Sequence, residues 1–158
     1  MKYYAGIGSR ATPPEILTLM TGLSAKLSGL GFILRSGGAK GADKAFEQKA
    51  AQKEIFKSND AQPWAFEEVQ KYIPTDRSGF NTWTPYVQGL LARNMMQILG
   101  RDGDKPVKFV LCWTPSLVYT DSSSGGTGYA IRCALAHDIS VYNFLDGEAL
   151  LKAKTFLK

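Results

Sequence analysis

The chain reads Ser36-Gly37-Gly38-Ala39-Lys40-Gly41-Ala42-Asp43 directly after the apolar run Phe32-Ile33-Leu34. An apolar strand that breaks into glycines and then begins a helix exposes backbone N–H groups to an anion. Consecutive glycines favour this because no Cβ stands between the amides and an oxyanion. Lys40 adds a positive charge. The stretch therefore predicts a strand, a phosphate-binding loop and a helix over 43–52.

Two more loops of this kind follow predicted strands. Gly6-Ile7-Gly8-Ser9-Arg10 ends the first strand, and its arginine offers a guanidinium that can clamp a phosphate. Ser124-Gly125-Gly126-Thr127-Gly128 follows a later strand and opens a helix, so its amides and hydroxyls can hold a second phosphate. Neither loop nor the stretch from Ser36 completes a Walker A sequence or a dinucleotide fingerprint, which disfavours ordinary dinucleotide oxidoreductase chemistry.

Strands and helices alternate along the whole chain, and the helices repeat apolar residues at close to 3.6-residue spacing. Strands joined by crossover helices form parallel sheets with helices on both faces. The predicted fold class is therefore α/β: one Rossmann-like domain over 1–158, with a mostly parallel five-stranded sheet and helices on both faces. Ligands bind such sheets beyond the carboxyl ends of the strands, so the three loops can meet at one place.

Several side chains outside the glycines are candidates for binding or chemistry. Asp43 either caps free N–H groups at a helix start or bonds a ribose hydroxyl. Glu47 shares its helix face, and in an enzyme Glu47 or Asp43 would be the catalytic carboxylate. Arg93-Asn94 interrupts an apolar helix, where an arginine needs an acidic or phosphate partner. Arg132 faces either the site or solvent.

The composition is that of an ordinary globular chain, with 44% apolar and 21% charged residues and a net charge of +5. The charge suits a nucleotide or nucleic acid. No apolar run approaches the roughly 20 residues of a membrane helix and no signal peptide is evident, so we expect a cytoplasmic protein without a membrane partner.

Cys112 and Cys133 are expected to be buried thiols. Two isolated cysteines and one histidine do not make a zinc ligand set, so no metal or other cofactor is expected.

Taken together, the three loops resemble the SLOG superfamily, which includes the DNA-processing protein A family and the Lonely Guy phosphoribohydrolases. The Gly-Ser-Arg turn and the Ser-Gly-Gly-Ala-x-Gly-x-Asp loop are similar to the DNA-processing protein A branch. The likeness covers Tyr3 to Phe144 except for residues 58–85. It implies a Rossmann-like domain that binds nucleotides, nucleotide-derived signals or single-stranded DNA, and that forms a homodimer or higher homo-oligomer.

One departure from the family pattern concerns catalysis. Lonely Guy enzymes carry Pro-Gly-Gly-x-Gly-Thr-x-x-Glu, whose glutamate takes part in cleaving the N-glycosidic bond. Aligned on Gly125-Gly126-Thr127-Gly128, that glutamate falls on Arg132. An arginine at this position favours an anionic ligand over bond cleavage.

These features predict a protein that binds a phosphorylated nucleotide or nucleotide-derived signal, of the ADP-ribose or cyclic nucleotide type. Arg10, Lys40 and Arg93 would neutralise phosphates, and aromatic residues from 58–85 would cover the base. Two alternatives stay open. One is a nucleotide N-glycosidase, phosphoribohydrolase or deoxyribosyltransferase. The other is a single-stranded DNA-binding protein, in which exposed aromatic residues would stack on bases.

Overall fold

Five parallel strands form the central sheet of the computed structural model, which describes residues 1–158. The strands follow the order β3-β2-β1-β4-β5, and every neighbouring pair is parallel. This confirms the predicted α/β, Rossmann-like fold class, with a sheet that is wholly parallel. The strands are β1 Lys2–Gly6, β2 Phe32–Ser36, β3 Lys53–Ile55, β4 Phe109–Cys112 and β5 Ser140–Asn143.

Six α-helices cover both faces of the sheet. The helices are α1 Pro14–Gly29, α2 Ala42–Glu47, α3 Pro63–Val69, α4 Pro85–Leu99, α5 Thr127–Ala136 and α6 Gly147–Leu157. Adjacent residues of a strand point to opposite faces, so Tyr4 lies in the core beneath α1, α2 and α6, and Ala5 lies in the core beneath α3, α4 and α5. None of the six has the length and apolarity needed to cross a membrane.

The second helix is shorter than the sequence predicts, and the prediction of a helix over 43–52 is wrong at its end. The amide of Leu34 donates to the carbonyl of Gln52 at 3.0 Å, and β3 pairs with β2 from Lys53 onward. Because the chain already lies along the sheet edge at residue 52, α2 ends at Glu47. Pairing with a neighbouring strand here outweighs local helix propensity.

The irregular segment over 58–85 packs its aromatic side chains against the protein. The indole Nε1 of Trp64 donates to the carbonyl of Arg101 at 2.8 Å. Phe80 is buried, and its ring centroid lies 5.4 Å from that of Trp83. The segment therefore extends the core on the α3–α5 face. Cys112 and Cys133 are buried, unbridged thiols, as predicted.

Candidate anion-binding cleft

A cleft of about 910 Å³ lies at the carboxyl ends of β1 to β4. It opens where the strand order reverses between β1 and β4, the position at which parallel sheets bind ligands. The three glycine loops meet here, as the sequence predicts. Of the predicted binding residues, the lining contains Gly8, Ser9, Arg10, Gly37, Gly38, Ala39, Lys40, Asp43, Arg93, Asn94, Ser124, Gly125, Gly126 and Thr127.

A buried ion pair forms the floor of the cleft. Asp43 lies in the first turn of α2 and Arg93 lies on α4, with Arg93 Nη1 3.8 Å from Asp43 Oδ2. Their side chains are only 4% and 10% exposed. Asp43 is therefore the acidic partner that an arginine inside an apolar helix requires.

The carboxylate of Asp43 also holds the second glycine loop. Its Oδ2 accepts hydrogen bonds from the amides of Gly37 at 3.2 Å and Ala39 at 3.3 Å. The protein's own carboxylate thus occupies two amides that the sequence assigned to a phosphate. The amides of Gly38 and Lys40 have no acceptor within the protein and border the cleft.

Burial raises the pKa of Asp43 to about 6, and the positive charge of Arg93 and the loop amides oppose that rise. Burial likewise lowers the pKa of Arg93, an effect that Asp43 opposes and the nearby charge of Arg10 reinforces. Two guanidinium groups close enough to repel each other face the same space. Such a pair favours an anion between or beside them.

Close packing explains why Gly37 is a glycine. A Cβ at this position would lie 1.4 Å from Arg93 Nη1 and 2.5 Å from the side-chain amide of Gln97. With the Gln97 amide oxygen turned toward the loop, it accepts from the Gly37 amide at 3.1 Å and from Arg93. The loop, the ion pair and Gln97 therefore form one buried network.

The third loop is held differently. The side-chain amide of Asn94 donates to the carbonyl of Gly126 at 3.1 Å, which ties the start of α5 to α4. The amides of Gly126 and Thr127 have no acceptor within the protein. The hydroxyl of Ser124 is buried without a hydrogen-bond partner. This loop therefore brings unsatisfied polar groups to the cleft.

Positive charge dominates the lining. Arg10, Lys40 and Lys57 form no ion pair, and together with Arg93 they give the cleft three net positive charges when Asp43 is ionised. A Cβ on Gly38 would lie 3.2 Å from the Lys57 ammonium nitrogen, so that charge sits against the second loop. An anionic ligand is the natural complement.

Four of the predicted site residues lie outside the lining. The hydroxyl of Ser36 donates to the carbonyl of Gly6 at 2.6 Å, inside the sheet. The carboxylate of Glu47 faces the ammonium groups of Lys44 and Lys53 at 3.7 and 3.5 Å. The structure therefore brings one of the two candidate carboxylates to the cleft. The residues outside are Ser36, Glu47, Gly128 and Arg132.

The guanidinium of Arg132 is engaged within the protein. Its Nε donates to the carbonyl of Tyr72 at 2.6 Å and its Nη1 to that of Tyr119 at 2.8 Å, and it lies over the ring of Tyr129. Arg132 lies on the second turn of α5, on the side that faces these loops. Arg132 therefore connects α5 to the chain segments that contain Tyr72 and Tyr119.

Sequence reasoning missed part of the lining, including Lys57, Asn59, Tyr86 and Gln97. Lys57 could have been found from its position in the sequence, because it follows the carboxyl end of β3, where the cleft lies. The expectation that aromatic residues of 58–85 cover a base is wrong, because none of them lines the cleft and they pack on the core instead. Tyr86, which is 63% exposed at the start of α4, is the aromatic residue that lines it.

No family model and no curated protein matches this chain.

Proposed function

We propose that the cleft binds a phosphorylated nucleotide or a nucleotide-derived signal, of the ADP-ribose or cyclic nucleotide type. One observation supports this proposal above the others. Three side chains without an ion-pair partner, those of Arg10, Lys40 and Lys57, line the same cleft as backbone amides that have no acceptor within the protein. Cations without partners repel one another and cost stability unless an anion joins them. Their placement at the carboxyl end of the sheet is that of a ligand site.

The two free pairs of amides suit a ligand with more than one anionic group. Gly38 and Lys40 follow β2, Gly126 and Thr127 follow β4, and β1 lies between these two strands in the sheet. Amides at a helix start bind phosphate through their N–H groups and the helix dipole. The cleft volume of about 910 Å³ is within the roughly 300–1,000 Å³ of small-molecule sites. We infer that the loops hold phosphates at two positions.

The α4 wall supplies the apolar part of the proposed site. Tyr86, Leu90 and Leu91 of this helix line the cleft. An exposed tyrosine ring can stack on a nucleobase, which contributes on the order of 1–3 kcal/mol per base. In this proposal Asp43 positions Arg93 and the second loop.

The resemblance of the three loops to the SLOG superfamily supports the same ligand class. It also leads us to propose a homodimer or higher homo-oligomer, which light scattering of the purified protein would detect.

Titration calorimetry against ADP-ribose, cyclic nucleotides, nucleoside monophosphates and a single-stranded oligonucleotide tests the proposal. Arg10→Ala and Lys57→Ala each remove a charged donor, and charged hydrogen bonds contribute about 1.5–3 kcal/mol. We expect each variant to weaken nucleotide binding by roughly 10–100-fold. Lys108→Ala is the matched control, because this exposed lysine lies at the opposite end of the sheet.

Three results would count against the proposal: no nucleotide binds, both variants bind as tightly as the wild type, or Lys108→Ala weakens binding as much as they do. Salt-sensitive binding of the oligonucleotide alone would favour the single-stranded DNA alternative.

A hydrolase is the second candidate, and a specific observation favours it. Asp43 lines the cleft and burial raises its pKa to about 6, which suits a group that exchanges protons near neutral pH. Chromatography of nucleoside monophosphates and NAD incubated with the protein would detect release of free base. Release of free base by the wild type but not by Asp43→Asn supports a hydrolase. Nucleotide binding without release of free base supports a binding protein.

A further inference from the structure

Three different metal-ligating groups meet near the end of α5 that lies away from Thr127 and the cleft. Glu68 lies on α3, Cys133 lies on α5, and His137 follows the last turn of α5. Their ligand atoms, a carboxylate oxygen, a sulfur and a ring nitrogen, all lie within 4.8 Å of one another. Sequence reasoning missed this cluster because it weighed the cysteines and the histidine without a carboxylate from another helix.

Helix geometry explains the arrangement. Residues four apart lie on one face of a helix, so Cys133 and His137 point the same way from α5. Glu68 approaches from α3, and its Oε2 lies 3.5 Å from Nε2 of His137. Two facing helices therefore present sulfur, nitrogen and oxygen to a common point.

Neighbouring side chains orient the carboxylate. Lys71 Nζ lies 3.0 Å from Oε1 of Glu68, which leaves Oε2 directed at the cluster. The Tyr72 hydroxyl donates to that Oε2 at 2.8 Å. Hydrogen-bond partners of this kind fix the direction of a ligand before a metal arrives.

We propose that this cluster is a Zn²⁺ site, with the Cys133 thiolate, the His137 imidazole and the Glu68 carboxylate as ligands and a water in the fourth position. Binding replaces the thiol proton, which passes to solvent. Tetrahedral Zn²⁺ with bonds of about 2.0–2.3 Å needs ligand atoms roughly 3.5 Å apart, so small side-chain rotations close the site. A mixed sulfur, nitrogen and oxygen set selects Zn²⁺ over Mg²⁺ or Ca²⁺.

The site has both a route for the ion and a structural consequence. The His137 side chain is 41% exposed, so an ion can reach the buried sulfur past the imidazole. Once bound, the ion would join α3 to α5 at the end of α5 away from Thr127, which lines the cleft. Zn²⁺ therefore acts here as a cross-link between helices.

Cobalt spectroscopy of the chelator-treated, 158-residue chain tests the site, with Co²⁺ alone as the probe. We expect one equivalent of Co²⁺ to produce a thiolate-to-metal charge-transfer band that Zn²⁺ abolishes by competition. Cys133→Ala removes the band. Cys112→Ala is the matched control, since this second buried cysteine lies on β4 outside the cluster, and it keeps the band.

His137→Gln gives an independent test in a variant whose altered side chain is exposed, with circular dichroism to check the fold. Loss of the His137 imidazole as a metal ligand should weaken Co²⁺ binding by more than about tenfold. It should also abolish the increase in Tm that Zn²⁺ binding produces in the wild type. The site is overturned if the wild type shows no charge-transfer band with excess Co²⁺, if the band persists in Cys133→Ala, or if folded His137→Gln binds Co²⁺ as tightly as the wild type.

Discussion

The Gly37-Gly38 and Gly125-Gly126 pairs look alike in the sequence and border the same cleft, yet their surroundings differ: close packing demands glycine at Gly37, whereas Gly125 has open space and a φ of 66°. A Cβ on Gly37 would lie 1.4 Å from Arg93 Nη1, whereas one on Gly125 would meet nothing within 4 Å. A Cβ on Gly126 would meet only Leu91, at 3.9 Å. The first pair makes room for the protein's own side chain, and the second leaves open space. Within the loop of the first pair, Gly37 therefore belongs to the internal network, and only the amides of Gly38 and Lys40 have no acceptor within the protein.

Gly37→Ala should have the largest effect. The new methyl group displaces Arg93 and leaves Asp43 buried without its partner, and breaking a buried pair costs about 3–5 kcal/mol. Urea unfolding should show that loss in the free energy of unfolding.

Gly126→Ala is the matched control, because the backbone there is helical at φ −63° and ψ −33°. We expect its stability to stay within about 0.5 kcal/mol of the wild type. Equal destabilisation by the two substitutions would contradict the distinction between the loops.

The stability contributed by Asp43 should depend on pH. Its pKa is about 6 in the folded protein and 3.8 ordinarily, so the folded state binds the proton more tightly. The stability linked to this proton is fully present below pH 3.8 and is lost as the pH rises through about 6, a change on the order of 3 kcal/mol.

Unfolding of wild type and Asp43→Asn at stepped pH measures the effect. The wild type should lose stability relative to Asp43→Asn between about pH 4 and pH 6, and the difference should be constant above that range. A difference that does not change with pH would show that burial does not perturb this carboxyl group.

The sequence predicted the sheet, the helix order and the meeting of the glycine loops, because these follow from local periodicity and from the rule that parallel strands end at one edge. It could not predict the ion pair between Asp43 and Arg93, since these residues lie on helices far apart in the chain. It misjudged the end of α2 because strand pairing at Lys53 is a tertiary effect. It misjudged the aromatic residues of 58–85 because composition does not say which way a ring points.

Asn94→Ala should have an intermediate effect, confined to the third loop. Loss of its hydrogen bond to the Gly126 carbonyl removes about 1 kcal/mol. Hydrogen exchange should become faster at the start of α5 and stay unchanged at Gly37, whose amide is held by Asp43. Faster exchange in both loops would mean that the two loops open together, so that the effect of Asn94→Ala is not confined to the third loop.

Glu47→Gln should have the smallest effect. The ion pairs of this carboxylate are with exposed lysines, and such pairs contribute from zero to about 1 kcal/mol. Nucleotide binding should be unchanged, because Glu47 lies outside the cleft. A large loss of affinity in Glu47→Gln would reinstate it as a site residue.

Amide chemical shifts during titration with ADP-ribose and the other nucleotides show whether the cleft binds a nucleotide through its free amides. We expect the largest shifts at Gly38, Lys40, Gly126 and Thr127, whose amides have no acceptor within the protein. Shifts at Gly37 should be smaller, because its amide is already bonded to Asp43. If saturating nucleotide leaves the four free amides unmoved, or shifts mainly residues outside the cleft, the cleft is not the nucleotide site.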